Sequence, residues 1–543
     1  MIYIQKRQVL LTAIVLVFFQ WGLCSQGSSS RGTSSLENDS SGSGFSPTLQ
    51  KEFVIVDSVQ NFDLNPHTAT YASEAQLLTG LSEGLFSYDP QTLEPLPAIA
   101  ETYHVSEDKL VWTFTIREGT KFSNGDAITA ETVRDSWMTL LSPDKKAPYA
   151  SLLDCISGAE AYRTGNAAAE KVMIRARDTR TLEVTLNSPA EHFSKILCHH
   201  AFSAVSPKQD VWSGPFTIAS RTADEIILTK NEQYWDAANT ALPSIKFLIT
   251  QDLQHATYMY NIGTAHWLCD TIDYQRILAP DTIHVAPLFA TEYLFFRIDD
   301  TSPWNNPDLR NALVKAVPWE TLREAYIIPA ETMIFPLNGY PRVKGLAEQD
   351  MDEALRLLEK AGYGIPTGEN SGKARPKLVI NIPSYDSYSK QLELLTAAWS
   401  DLGIIVEAVS TDSALYQDAI KTADADIFLY IWIGDFADPL AFLELFRGSS
   451  SLNETGWKND DYEKLLAEAA KLTDPSKRYK KLAEAEQLLL DSGIVLPLSH
   501  TVSVNVIELL EIGGWYENAL DIHPLKHLFF THGRQMSNIT QIE

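Results

Sequence analysis

Asp435 follows the apolar run DIFLYIWI after a single glycine, on the turn GDFADP. In open α/β sheets ligands gather beyond the carboxyl ends of the strands, so this position offers a carboxylate to a cleft. A carboxylate withdrawn from water needs a cation in hydrogen-bonding contact, and an ammonium group suits it. Asp435 also reads as an Asx-turn closing the strand end, although Asp438 is the better turn former. His192, Cys198, His199 and His200 make a second cluster of chemically capable side chains. They lack paired CxxC spacing or HExxH on a helix, so core or surface histidines are favoured over a metal site. GENSGKA, from Gly368, is one residue short of a phosphate loop, has Ala374 where a Ser or Thr would meet magnesium, and follows no strand. No GxSxG elbow occurs, nor a GxGxxG after a strand. Carboxylate pairs leave no signature in a single sequence, so a hydrolase stays open as a competing class.

The elements that must hold Asp435 in place come from a chain of 543 residues, 45% hydrophobic, which predicts two or three domains with buried cores. From Lys51 onward strands alternate with helices. FVIVDS, KLVINIP, GIIVEAV and DIFLYIWI read as strands. Ala354, Leu355, Leu357, Leu358 and Ala361 line one face of a helix ended by Gly362, and Gln391–Leu402 repeats the pattern before Gly403. The fold class this predicts is α/β, with central sheets in each lobe. Lys+Arg 44 against Asp+Glu 70 gives a net charge of -26, which argues against nucleic acid as a partner. The acidic balance suits cationic or zwitterionic solutes and also serves as a solubilising surface.

The first residues carry an address. Lys6 and Arg7 precede an apolar run from Val9 to Phe19, the n- and h-regions of a secretory signal peptide over residues 1–24. A Ser/Gly-rich stretch follows to residue 50 and predicts a flexible tether. Cys24, at the junction, resembles the lipid attachment point of a bacterial lipoprotein, although Leu23 stands where such signals carry a small residue. Cys155, Cys198 and Cys269 remain, giving either one bridge or three free thiols.

The ordered segments GLSEGLFSYDP, LEPLPAIAETYHVSED and VWTFTIREGTKFSNGDAITAETVRDSW resemble the bacterial extracellular solute-binding proteins of family 5, which carry peptides, dipeptides and nickel. Trp112, Phe114 and Ile116 alternate on one strand face, Asn124-Gly125 makes a turn, and Thr129 with Thr132 starts a helix. The likeness continues through WSGPFTI, NEQYWD, PWNNPDLRNAL and FPLNGYP to the DDYEKLLAEAAKLTD helices. It implies a two-lobed periplasmic-binding-protein fold with an extra subdomain. One lobe comprises 51–87, 215–287 and 500–543, the subdomain 88–214, and the other lobe 288–499, with a hinge between the lobes.

The resemblance also assigns roles. In peptide-binding members a Trp, two residues and then an Asp receive the ligand's α-ammonium, here Trp432 and Asp435. The backbone from Ile431 to Ile433 would pair with an extended peptide as an added strand. Glu74, nine residues before Glu83, and Tyr149 in PYASLL occupy places that face the ligand in relatives; a helix-start carboxylate and a core tyrosine are their structural alternatives. Leu429 stands where binders of very short peptides carry an Arg for the ligand carboxylate, leaving that partner unassigned, with Lys421 upstream as a candidate. The implied function is the substrate-binding component of an ATP-driven importer. It would be a monomer with no cofactor and no metal, capturing short peptides and delivering them to a membrane permease and its ATPase subunits from the periplasm or cell surface. Nickel chelates, haem or a murein-derived peptide are the alternative ligands.

Overall fold

The computed structural model describes residues 52–531, apart from 60–61, 191, 365–372, 386–387, 413–414 and 437. The expected signal peptide, the tether and Cys24 lie outside the described residues, as does most of the 364–376 loop.

The backbone of the molecule is a mixed sheet of eleven strands among the described residues. At its centre two long strands, Ile283–Phe296 and Val495–Ile507, run antiparallel from Ile283 opposite Val506 to Phe295 opposite Val495. Their ladder is interrupted in the middle and shifts register again between Glu292 and Tyr293. Pairing stops after Pro287, which has no N–H to give, and resumes at Thr291 opposite His500. On one side of this break the sheet continues through Trp267–Cys269, Phe53–Asp57, Ser244–Ile249, Glu225–Lys230 and Phe216–Arg221. On the other it continues through Ile427–Ile433, Lys377–Pro383 and Ile405–Thr411. The two long strands therefore belong to both halves of a two-lobed α/β fold.

A separate antiparallel sheet joins Ala100–Val105, Val111–Ile116, Thr181–Thr185 and Ile174–Ala176. Its second strand alternates as the sequence predicts, with Trp112, Phe114 and Ile116 buried. Gly125 takes the left-handed conformation at φ +89 in the turn before the helix Ala130–Leu140, and Thr129 caps that helix by accepting from the Thr132 N–H. The predicted helices form at Met351–Lys360 and Ser389–Asp401, followed by Gly362 and Gly403 with positive φ. Leu355 is the exception on its stripe: it is exposed, and Ala354, Leu357 and Leu358 carry the packing.

Apolar side chains gather in three clusters among the described residues, two of them large. One gathers Phe53, Leu77, Leu228, Phe247, Trp267, Ile507 and Leu525; the larger runs from Leu85 to Ala204 and from Phe289 to Leu498. Cys155, Cys198 and Cys269 are free thiols. No helix among the described residues is long and apolar enough to cross a membrane.

Candidate ligand-binding site

The strand Ile427–Ile433 is built from β-branched and aromatic residues, which favour a pleated, half-buried surface. One edge pairs along its full length with the long strand, from Ile427 opposite Phe296 to Ile433 opposite Ala290. The other edge meets Lys377–Pro383 only at Ile427 and Phe428. Just beyond that pairing, the Tyr416 hydroxyl takes the place of a strand: it accepts from the Leu429 N–H at 2.9 Å and lies 2.9 Å from both the Leu429 and the Asn381 carbonyl oxygens. Backbone groups alternate between the two edges with a period of two. The N–H and C=O of Ile431 and Ile433 therefore point to the same edge as those of Leu429, and no strand among the described residues pairs there.

This open edge borders a cavity of about 370 Å³, within the range of small-ligand sites. The Ala72–Leu81 helix and its cap Tyr71 form another wall, and Tyr149, His199 and His200 a third. Tyr88, Tyr385, Tyr388 and Tyr430 add aromatic surface. The walls are tied together beside the cavity. The Ser451 hydroxyl donates to the Pro148 carbonyl at 2.6 Å, and Arg163 donates to the Ser449 carbonyl at 2.7 Å while pairing with the buried Asp154.

Asp435 lies at the end of the open edge, with its side chain only 7% exposed. Its Oδ1 is 3.5 Å from His199 Nε2, and its Oδ2 is buried with no hydrogen-bond partner among the described residues. The His199 contact is not an ion pair. Burial and the neighbouring His200 hold the His199 imidazole well below its ordinary value, so the ring is neutral. Its Nδ1 accepts from the Ala201 N–H, which leaves the proton on the Nε2 that faces Asp435. Burial pushes the Asp435 carboxyl up to about 8. An acid held that far from its ordinary value, in a cavity and without a cation, is poised to receive one.

Trp432 is buried, donates its indole N–H to the Ala441 carbonyl at 2.8 Å and stacks on Tyr430. It anchors the strand that carries Asp435. Tyr149 is 4% exposed, with its ring 4.4 Å from His199 and 6.4 Å from Trp432. The structure thus brings Asp435, Trp432, Tyr149 and the Ile431–Ile433 backbone to one cavity.

Glu74 lies elsewhere. Its carboxylate accepts from the backbone N–H groups of Asp63 at 2.7 Å, Thr70 at 2.8 Å and Tyr71 at 3.0 Å, and it does not line the cavity. It stands at the third position of the helix, where a glutamate reaches back to cap its start. Lys421 is exposed, away from the cavity lining, where its charge acts on Glu454. Asp438 is held by both guanidinium nitrogens of Arg478, at 2.6 and 2.8 Å, and caps the Leu440 N–H. Sequence reasoning separated His199 and His200 from the site because His199 and Asp435 are 236 positions apart. It missed the Tyr416 clasp because a hydroxyl bridging two strands leaves no motif, even with Leu429 only 13 positions on. No group of three or more His, Cys, Asp or Glu among the described residues is arranged to hold a metal ion.

Residues 94–454 match the model of the bacterial extracellular solute-binding proteins, family 5 Middle. The chain is 27% identical over 467 residues to the oligopeptide-binding protein OppA of Bacillus subtilis, covering 80% of this chain and 85% of that protein. It is 29% identical over 453 residues to the dipeptide-binding protein DppE of the same organism, covering 78% and 82%. Among solved structures, the murein tripeptide binding protein MppA of Escherichia coli superposes with a TM-score of 0.78 at 23% identity, covering 89% of this chain and 99% of that one. The chain therefore belongs to family 5 of the bacterial extracellular solute-binding proteins.

Proposed function

We propose that the protein captures short peptides in the interlobe cavity and delivers them to the membrane permease and ATPase subunits of an importer, performing no chemistry on them. Asp435 receives the peptide's α-ammonium, and the open edge at Ile431 and Ile433 hydrogen-bonds the peptide backbone as an added strand. Trp432 fixes the strand, and Tyr149 closes over it. The lobes divide at 51–87, 215–287 and 500–543 against 288–499, with 88–214 as the subdomain. The mature protein is an exported monomer, tethered through Cys24. The observation that carries this reading is the buried, unpartnered Asp435 oxygen at the end of an unpaired strand edge inside an aromatic cavity. The relatives named for oligopeptide and dipeptide binding support the ligand class.

The test is a four-way titration calorimetry cycle. Asp435→Ala should weaken binding of a free peptide by about 2 to 5 kcal/mol, the cost of leaving a buried charge unpaired. N-acetylating the peptide should reproduce most of that loss on the unaltered protein, and combining the two should cost clearly less than their sum. Additive losses, or an unchanged affinity for the alanine variant, would return Asp435 to a structural role. Loss of the peptide over hours, seen by mass spectrometry, would instead favour a hydrolase.

A further inference from the structure

Among the described residues lining the cavity, one carboxyl, negative when ionised, lacks a partner. Two carboxylates line the cavity. Glu83 is already engaged, accepting from Lys526 Nζ at 2.7 Å and from the Tyr234 hydroxyl and Trp235 indole N–H at 2.5 Å each. Asp435 is not. No Lys or Arg is among the described lining residues. The internal positions left undescribed, 60–61, 191, 365–372, 386–387, 413–414 and 437, also contain neither residue type. The two lining histidines supply no charge at neutral pH, since burial holds His200 at about 4 and His199 well below its ordinary value. Tyrosine hydroxyls can hydrogen-bond an anion but bring it no countercharge.

Resting on the peptide reading above, we propose that the site reads the amino end of its ligand alone: it takes peptides whose carboxyl end is amidated or lies beyond the cavity, and it disfavours short peptides that end inside it as free acids. A carboxylate enclosed here would exchange its water shell for aromatic surface with no cation among the described lining residues, the nearby Lys526 being paired with Glu83, which is unfavourable unless the charge is paired. Leu429 fits this: it stands where the sequence comparison placed an Arg for the ligand carboxylate, and it is buried and apolar. An extended tripeptide spans about 10 Å and a hexapeptide about 20 Å, so the longer chain carries its carboxylate about 10 Å further from Asp435.

The test is calorimetry at pH 7 on the full protein with trialanine and hexaalanine, each as free acid and as carboxamide. The tripeptide amide should bind about tenfold or more tightly than the acid, and for the hexapeptide the ratio should fall below that of the tripeptide. A tripeptide amide advantage below threefold, or an undiminished ratio at six residues, overturns the proposal while leaving peptide capture standing. Failure of all four probes to bind overturns the peptide reading and this inference with it.

Discussion

Lowering the pH from 8 to 6 should weaken peptide binding about 25-fold. Burial sets the Asp435 carboxyl at about 8 in the empty cavity, so at pH 6 it is protonated. An incoming α-ammonium requires the carboxylate, and the proton must leave as the peptide enters. Well below the carboxyl's value each pH unit costs about 1.4 kcal/mol, or tenfold; because about half of the carboxyls and of the peptide amines are already uncharged at pH 8, the whole step to pH 6 costs about 1.9 kcal/mol. The groups facing Asp435 do not blur the window. His199 stays neutral throughout it, and burial raises the hydroxyls of Tyr88, Tyr149 and Tyr430 above their ordinary value. Above pH 8 the peptide's own amino group, with a value of about 8, loses its charge, so affinity should peak near there. Calorimetry at pH 6, 7 and 8, in buffers of differing ionisation enthalpy, reads both the affinity and the protons released. Close to one proton per peptide should appear at pH 6 and none with Asp435→Asn. Affinity that is flat between pH 6 and 8, or binding at pH 6 without proton release, would refute the coupling.

Asp435→Asn should also flatten the pH dependence of stability in the ligand-free protein. An acid whose folded value is raised contributes stability that is complete below its unfolded value near 4 and lost as pH rises to about 8, so thermal melts from pH 4.5 to 8 should fall less steeply in the variant. Tyr416→Phe should cost about 1 to 3 kcal/mol in urea unfolding at an unchanged denaturant slope, because it leaves the Leu429 N–H and a carbonyl buried without their partner.

The parts of the fold with a local period were legible in the sequence. The alternation of Trp112, Phe114 and Ile116, the Asn124-Gly125 turn and the strand ending before Asp435 depend on neighbours a few residues away, and each appears where the sequence predicts it. Glu74 shows what a local pattern leaves out. Its distance from Glu83 suggested a ligand contact, yet three backbone N–H groups at the helix start compete for the same oxygens and hold them. The walls of the cavity were illegible for a different reason. His199 and His200 come from a distant segment, and nothing in their own neighbourhood marks them as facing Asp435, while Tyr149 was visible only through the family resemblance. The empty place of a carboxylate partner was visible as Leu429, but only the assembled lining makes it a property of the whole cavity.

The order of strands in the large sheet also dictates when each lobe can be completed. Phe53–Asp57 lies between Ser244–Ile249 and Trp267–Cys269, and the latter pairs with Cys269 opposite Asn505, near the other end of the chain. Leu525 and Leu528 then pack into the same core as Leu77 and Leu78. Closing loops of that length is slow, because their entropy is lost before the contacts form. A chain emerging amino end first, from a ribosome or through a membrane pore, holds FVIVD as an unpaired strand until its partner Ser244–Ile249 has arrived, and the core beneath it stays open until Leu525 and Leu528 follow. All five of its side chains are buried in the finished molecule. During that interval it is an adhesive edge, and the lobe that begins the sequence is the last to close, which makes protection of this nascent segment a requirement for reaching the folded state.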